Sequence, residues 1–320
     1  MEKGEEGLDK AYDETVNRIE NREQGIRDLA KRTLFWIVCA KRPLTTEELR
    51  HALAIEPGTC RLDKTNLCPV KDMVSSCAGL VTVDSNIIRL VHYTAQEYFQ
   101  RRGLKSIEDM QRDIIATSCL TYLSYDVFAE GHLGLWDLTS RLQQNAFFKY
   151  AAQNWAYHVQ DTQESVRDLA LKFLIDDGKA SASAQVLFEY YPRQQFCGMH
   201  LAAYFGLSDI VARLLQQKDP DTRDSFGRTP LSYAVEEGNA RPVELLLDYN
   251  VDLYSECEEG WTPFSRAIEG GNAAVIKIII LAKGAKIDHR YKFVRISNHV
   301  RIDLYLTADT VLLRLYYCKM

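Results

Sequence analysis

Gly227-Arg228-Thr229-Pro230-Leu231 and Gly260-Trp261-Thr262-Pro263-Phe264 stand 33 residues apart and decide how the second half of this chain is read. Each runs on into a small-residue helix, a Gly-Asn step (Gly238-Asn239, Gly271-Asn272) and an aliphatic run, Val243 to Leu247 or Val275 to Ile280. Thr229 is placed to cap a helix with its hydroxyl, and Pro230 sits where its missing N–H costs nothing. Ala234 and Ala267 keep that helix thin enough for neighbours to stack, and Gly238 and Gly271 permit the left-handed turn that ends it. A degenerate third copy lies upstream. Gly198-Met199-His200-Leu201-Ala202-Ala203 aligns 32 residues before Pro230-Leu231-Ser232-Tyr233-Ala234-Val235, with Gly206 in the place of Gly238 and Val211 to Leu215 as the aliphatic run. Its Thr-Pro has become Cys197-Gly198, as suits the first unit of a stack.

A period near 33 with Thr-Pro at the helix start resembles the ankyrin repeat. The expected array covers residues 193–288 in about three copies, 195–226, 227–259 and 260–288. Repeats of this kind bind other macromolecules and carry no chemistry of their own. A protein partner would meet the concave face, at the finger turns Arg223 to Arg228 and Ser255 to Trp261. Arg228 and Trp261 are the candidate contacts there. Along the inner helices, Ser232, Tyr233, Glu236, Ser265, Arg266 and Glu269 are expected to be exposed.

At 320 residues the chain has room for about two domains. Hydrophobic content of 46% and charged content of 26% are those of an ordinary globular protein. A net charge of −5 supplies no basic field for nucleic acid or anionic lipid. No run of 18 apolar residues and no apolar signal core is present, so a membrane is not an expected partner. The eight cysteines are scattered among apolar neighbours, without zinc spacing or a compact disulfide framework. Reduced core thiols in a cytoplasmic or nuclear protein are the expectation.

The N-terminal half divides at readable punctuation. Leu8, Tyr12, Val16 and Ile19 form one stripe, in a linker helix expected over 1–25. A module follows over 26–103, beginning with a helix through Ile26, Leu29, Leu34, Ile37 and Val38 that Pro43 stops. Thr45 and Glu48 form a capping box for a short helix through Leu49 and Leu53. A third helix lies around Asp72 to Ser76, closed by Gly79. Two β-rich runs, Leu80 to Val83 and Ile87 to Val91, flank the turn Asp84-Ser85-Asn86 as a hairpin. Thr94 with Glu97 is expected to cap the next helix.

Three short helices and a hairpin follow the order of a winged helix. Its third helix carries one base, Lys71, and its wing tip is acidic, which argues against nucleic acid as partner. A helical bundle is expected over 104–192, with stripes at Ile107, Met110, Ile114, Leu120 and Leu123, then Phe147, Tyr150, Ala151, Asn154 and Trp155, then Val166, Leu169, Phe173 and Leu174, ending at Gly178. The tail, 289–320, is atypical: Val300 to Leu306 alternates like a strand, and the chain ends in Leu312 to Tyr317 after Lys283-Gly284-Ala285 closes the third repeat. The fold class expected is mainly α: a winged-helix-like module with a small β-hairpin, a helical bundle, then a short ankyrin-repeat solenoid.

No signal for catalysis, cofactor or metal emerges. A phosphate-binding Gly-x4-Gly-Lys-Ser/Thr loop is absent, and the acids Asp176-Asp177 read as a helix end rather than metal ligands. The seven histidines form no i,i+4 pair. His200 takes the histidine slot of the repeat, where a ring bonds nearby backbone, and His92 reads as a buried, hydrogen-bonded side chain. No Gly-x-Ser-x-Gly elbow exists, and no cysteine has an evident histidine partner.

The longer motifs are more specific. Leu8-Asp9-Lys10-Ala11-Tyr12, Ala30-Lys31-Arg32 and Trp36-Ile37-Val38-Cys39-Ala40-Lys41-Arg42-Pro43-Leu44-Thr45-Thr46-Glu47-Glu48-Leu49 continue into Asp72-Met73-Val74-Ser75-Ser76-Cys77-Ala78-Gly79-Leu80. Ile88-Arg89-Leu90-Val91-His92-Tyr93-Thr94-Ala95-Gln96-Glu97-Tyr98-Phe99 and Tyr150-Ala151-Ala152-Gln153-Asn154-Trp155 complete the set. With these the chain, over 8–288, resembles the fungal NACHT–ankyrin proteins, NOD-like receptor relatives of the STAND class. Ala30 to Phe99 looks like the winged-helix domain named after GPI inositol-deacylase, without the lipase serine. The resemblance implies a non-catalytic binding arm of a receptor whose NTPase domain is missing from this sequence. The alternative it implies is a regulatory part of a nucleotide-driven switch, acting with a separate NACHT polypeptide.

Overall fold

The computed structural model describes residues 2–102, 108–160, 162–188, 195–282, 294–297, 300–306 and 311–317. The chain divides into two compact units: Met1–Phe128 with Leu133–Leu169, and Ala129–His132 with Ala170–Met320.

The first unit opens with α1 (Glu2–Glu20) and α2 (Gln24–Cys39), then β1 (Leu44–Thr45), α3 (Thr46–Leu53), α4 (Val70–Ser76), β2 (Val81–Asp84), β3 (Ile87–Leu90) and α5 (Tyr93–Arg102). This is the winged-helix order. Thr45 and Glu48 close the expected capping box, Glu48 N–H donating to Thr45 Oγ1 at 3.1 Å and Thr45 N–H to the Glu48 carboxylate at 2.8 Å. A cap of this kind is worth about 1 kcal/mol. The hairpin turns on Ser85 and Asn86, both left-handed at φ 50° and 69° as a two-residue turn requires. The sheet has the order β1-β3-β2, antiparallel throughout. Strand β1 has two residues, too few to show a period, and so was not expected.

Two expectations here are corrected. Thr94 does not cap α5; it lies in the first turn, its hydroxyl bonded to Tyr12 Oη at 2.6 Å. The cap is His92, whose Nδ1 accepts from Thr94 N–H at 3.3 Å while its carbonyl accepts from Ala95 N–H at 3.1 Å. His92 is therefore exposed rather than buried. Helix α1 is tied to α5, where Tyr98 Oη donates to Asp13 at 2.7 Å and Arg101 pairs with Asp9 at 2.9 Å.

Three more helices follow in this unit: α6 (Glu108–Leu123), α7 (Leu135–Gln144) and α8 (Phe148–Val159). They share one core with the winged helix. Trp36 meets Phe147 edge-on at 5.4 Å between centroids and Tyr150 at 6.1 Å, and His51 Nδ1 bonds Tyr122 Oη at 2.9 Å. Phe128 stacks on Phe148 at 4.0 Å. Fully burying each such ring contributes about 2–3 kcal/mol. The aromatic partners of α2 and α3 come from α6, α8 and the segment before α8. Of the first expected stripe, Leu120 and Leu123 are buried and Ile114 is exposed, while residue 107 lies outside the described residues.

The second unit begins in the C-terminal half of α9 (Glu164–Ile175), followed by α10 (Asp177–Leu187). The acids expected to end a helix instead start one. Asp176 is the N-cap of α10, accepting from Lys179 N–H at 3.2 Å, and Gly178 lies in its first turn. A Cβ at Gly178 would stand 2.3 Å from the Ala129 carbonyl oxygen, so only glycine allows that approach.

The repeats follow as helix pairs: α11 (Gly198–Tyr204) and α12 (Ser208–Leu214), α13 (Pro230–Glu236) and α14 (Ala240–Asp248), α15 (Pro263–Glu269) and α16 (Ala273–Ala282). The inner helices stack α11-α13-α15 and the outer ones α12-α14-α16, while α10 packs on α11. The expected helix stops hold: Gly206, Gly238 and Gly271 have φ of 72°, 71° and 65°. The Gly-Asn steps also stitch the stack. Asn239 Nδ2 donates to the Ala203 and Tyr204 carbonyls of the preceding repeat at 2.9 and 2.8 Å. Asn272 Nδ2 donates likewise to the Gly238 carbonyl at 3.4 Å. In the first copy the residue after Gly206 is Leu207, which is buried.

Beyond the repeats, β4 (Val294–Ser297), β5 (Val300–Leu306) and β6 (Val311–Tyr317) form an antiparallel sheet in that order, with Leu304 opposite Leu313. The expected strand is thus β5. Strand β4 neighbours α15 and β6 neighbours α16. The expected Lys283-Gly284-Ala285 close lies outside the described residues.

Candidate protein-binding face of the repeats

Each finger turn is built on one recurring bond pattern. Asp224 N–H donates to the Arg228 carbonyl at 3.0 Å and Gly227 N–H to the Asp224 carbonyl at 2.9 Å. One period later Cys257 N–H donates to the Trp261 carbonyl at 2.9 Å and Gly260 N–H to the Cys257 carbonyl at 2.8 Å. Gly227 and Gly260 have φ of 72° and 78°, which is why glycine opens both motifs. In the first turn Asp224 adds its carboxylate, accepting from the N–H groups of Phe226 and Arg228, each at 2.9 Å.

The same carboxylate anchors the inner helix. Tyr233 Oη donates to Asp224 Oδ2 at 2.5 Å, and the Arg228 guanidinium lies over the Tyr233 ring at 4.1 Å from its centroid. Arg228 then pairs with Glu236. Glu236 also faces Arg266 at 3.6 Å, and Arg266 pairs with Glu259 at 3.1 Å while lying 5.6 Å above the Trp261 ring. Two repeats are thereby joined through one carboxylate. Burial alone would lower the Arg228 pKa, but Tyr233, Glu236 and Asp224 outweigh it and hold the guanidinium above its ordinary value. Burial, with Glu236 alongside, pushes the Glu237 carboxyl up.

Four of the eight expected contact residues are not on the surface. Tyr233 is 1% exposed, Ser232 4%, Arg228 5% and Ser265 8%. Tyr233 is enclosed by Phe196 at 5.1 Å and His200 at 5.6 Å. Ser232 and Ser265 are consumed by capping, each donating its N–H to the threonine hydroxyl three residues before it, at 3.4 and 3.1 Å. Glu236 and Glu269 are exposed, whereas Trp261 and Arg266 are half-buried. Glu258 and Glu259, inside the expected second finger, and Glu237, which was not expected, complete an acidic exposed rim. Glu237 was hidden because it ends the helix, outside the motif's inner positions.

His200 performs the expected structural task. Its Nδ1 accepts from Cys197 N–H at 3.1 Å, which leaves Nε2–H to donate to the Arg228 carbonyl at 3.2 Å. Full burial holds its pKa down at about 4, so the ring is neutral.

Among the described residues no cluster of His, Cys, Asp or Glu could hold a metal ion. None of their helices is long and apolar enough to cross a membrane. Residues 19–110 match the model of the GPI inositol-deacylase winged helix domain, and residues 199–291 match that of ankyrin repeats in three copies. No curated protein matches the chain. The chain is therefore a mainly helical protein in which a winged-helix domain of the GPI inositol-deacylase type precedes ankyrin repeats.

Proposed function

We propose that this protein is a non-catalytic interaction module whose ankyrin stack binds a protein partner through its inner-helix and finger-turn face. The observation that carries the reading is the doubly paired Glu236. Arg228 and Arg266 hold it between two repeats, with Trp261 and Glu259 beside it. A half-buried aromatic ring within a fixed charge network is the arrangement from which binding hot spots are built. Glu236, Glu237, Glu258, Glu259 and Glu269 give the face a negative rim, which favours a partner surface carrying lysine or arginine.

The test is capture of partners from a lysate on the full chain, compared with Trp261→Ala and with Glu259→Lys. Partners retained unchanged by both variants sink the assignment of this face. Tyr233→Ala is not a usable probe, because that ring is internal.

We further propose that the module works in a fungal NOD-like receptor setting, in the cytoplasm or nucleus, either as a binding arm or as the regulatory partner of a separate NACHT NTPase. The long motifs from Trp36 to Leu49 and Ile88 to Phe99 support this setting. Transcripts across the locus decide it: a P-loop reading frame joined upstream favours the switch, and an independent promoter favours the arm.

A further inference from the structure

On the winged-helix unit a groove of about 540 Å³ opens between the end of α2, β1 and the end of β3. Ile37, Val38, Leu44 and Leu90 are among its apolar lining. Lys41, Arg42, Arg89 and His92 also line it, and no carboxylate does. In a chain of net charge −5 this is a local inversion of sign.

The groove coincides with an interrupted sheet edge. Strand β2 pairs with all of β3, from Ile87 to Leu90, whereas β1 pairs only with Ile87 and Ile88. Alternation along an antiparallel ladder directs Ile88 and Leu90 toward the β1 side. Val91, next in sequence, bonds the other side, its N–H donating to the Leu80 carbonyl at 3.0 Å. Leu90 therefore turns its amide and carbonyl into the groove where β1 has ended. Continued past β1, the same register sets Arg42 opposite Leu90, and no backbone bond joins these two described residues.

The rim is held in place from below. Lys41 N–H donates to Tyr150 Oη at 3.0 Å, and the Arg42 guanidinium lies 5.1 Å from the Tyr150 centroid while pairing with Glu48 at 2.6 Å. Arg89 pairs with Asp84 at 2.7 Å. These two cations are already matched. The ammonium of Lys41, an exposed residue, has no ion pair among the described residues, and Val91 and Tyr93 are 55% and 68% exposed beside it.

We propose that this groove receives an extended segment of a partner protein in which acidic and apolar residues alternate. The segment adds a short strand at Leu90, lays an apolar side chain against Val38 and Val91, and sets a carboxylate at Lys41. Strand addition supplies affinity through backbone bonds and specificity through alternate side chains. This site is separate from the ankyrin face and does not depend on it.

The experiment titrates the full chain with a pool of labelled hexapeptides alternating Val, Ile or Leu with Asp or Glu. A matched pool carrying Lys at the charged positions is the control. The expected result is an affinity for the acidic pool at least about tenfold above the control, lowered about tenfold by Lys41→Glu and by Val91→Glu. The Leu90 amide gains hydrogen-exchange protection on binding. Unchanged melting temperatures of both variants establish that the fold is intact. Equal affinity for the two pools, no binding at millimolar peptide, or binding without protection at Leu90 overturns the proposal. So does Lys41-dependent binding of inorganic phosphate without peptide binding, or self-association abolished by Lys41→Glu, each of which assigns the groove to another occupant.

Discussion

Gly198 lies so close to Leu174 that a Cβ on it would stand 1.8 Å from the Leu174 carbonyl oxygen. Its N–H is also in use, donating to Asp177 Oδ1 at 3.2 Å. The first repeat departs from Thr-Pro because the end of α9 occupies the space a proline ring would fill. Restoring the motif with Gly198→Pro is expected to destabilise the repeat unit by about 3 kcal/mol or more, through a clash and a lost bond. Cys197→Thr, which restores only the cap, is expected to stay within about 1 kcal/mol of the parent. Urea denaturation of the two variants checks the contrast.

The buried histidine makes the stack sensitive to acid. An unfolded His200 takes up a proton below its ordinary pKa of about 6.5, whereas the folded ring stays neutral down to about 4. The unfolded state binds more protons in that window, so stability falls as pH drops from 6.5 toward 4 and levels off below. The loss from this ring approaches about 3 kcal/mol. His158, held to about 4 by burial in the other unit, behaves the same way there. His200→Gln is expected to flatten the pH dependence of the repeat unit alone. Hydrogen exchange in α11 and α8 at pH 7 and pH 5 separates the two.

Glu236 and Glu259 both pair with Arg266, but they are not equivalent. Removing the Glu236 charge leaves the buried Arg228 guanidinium without its paired carboxylate; removing that of the exposed Glu259 leaves Arg266 with Glu236 still beside it. Glu236→Gln is expected to destabilise by about 1–2 kcal/mol. Glu259→Gln is expected to shift stability by less than about 0.5 kcal/mol. Equal denaturation midpoints for the two would contradict the network as described.

A polypeptide ending at residue 103 retains every winged-helix element but lacks Tyr122, Phe147 and Tyr150, which complete its core. It is expected to show no cooperative thermal transition, whereas one ending at residue 169 melts cooperatively. Within the longer chain, Tyr150→Phe leaves the Lys41 amide and His158 without their partner and is expected to cost about 1–3 kcal/mol.

Features that depend on a few neighbouring residues were legible in the sequence. The Thr45 box, the helix stop at Gly238 and the hairpin at Ser85-Asn86 each follow from local chemistry and recur in the structure. Errors arose where local signals compete or where the partner is distant. Thr94 has the spacing of a cap but lies inside the first turn of α5, where its hydroxyl bonds Tyr12. Asp176-Asp177 reads as a helix stop, yet Asp176 caps the next helix through Lys179 N–H. Tyr233 occupies an inner-helix slot that motif logic exposes, yet Phe196 and His200 enclose it and Asp224 captures its hydroxyl. The aromatic core that unites α2 with α8 rests on pairs more than a hundred residues apart, beyond any reading of periodicity.

A Cβ at Gly206 would stand 2.8 Å from the Asn239 side chain, and one at Gly238 only 2.2 Å from that of Asn272. Each glycine is thus a socket for the asparagine of the following repeat, and in Gly238-Asn239 socket and plug are adjacent in one repeat. A tandem duplication of that unit is born compatible with itself, since the copied plug meets a copied socket. A slip of one residue would push a side chain into a site that admits none. The step therefore works as an inherited joint, letting such arrays lengthen by whole repeats while rejecting fractional ones.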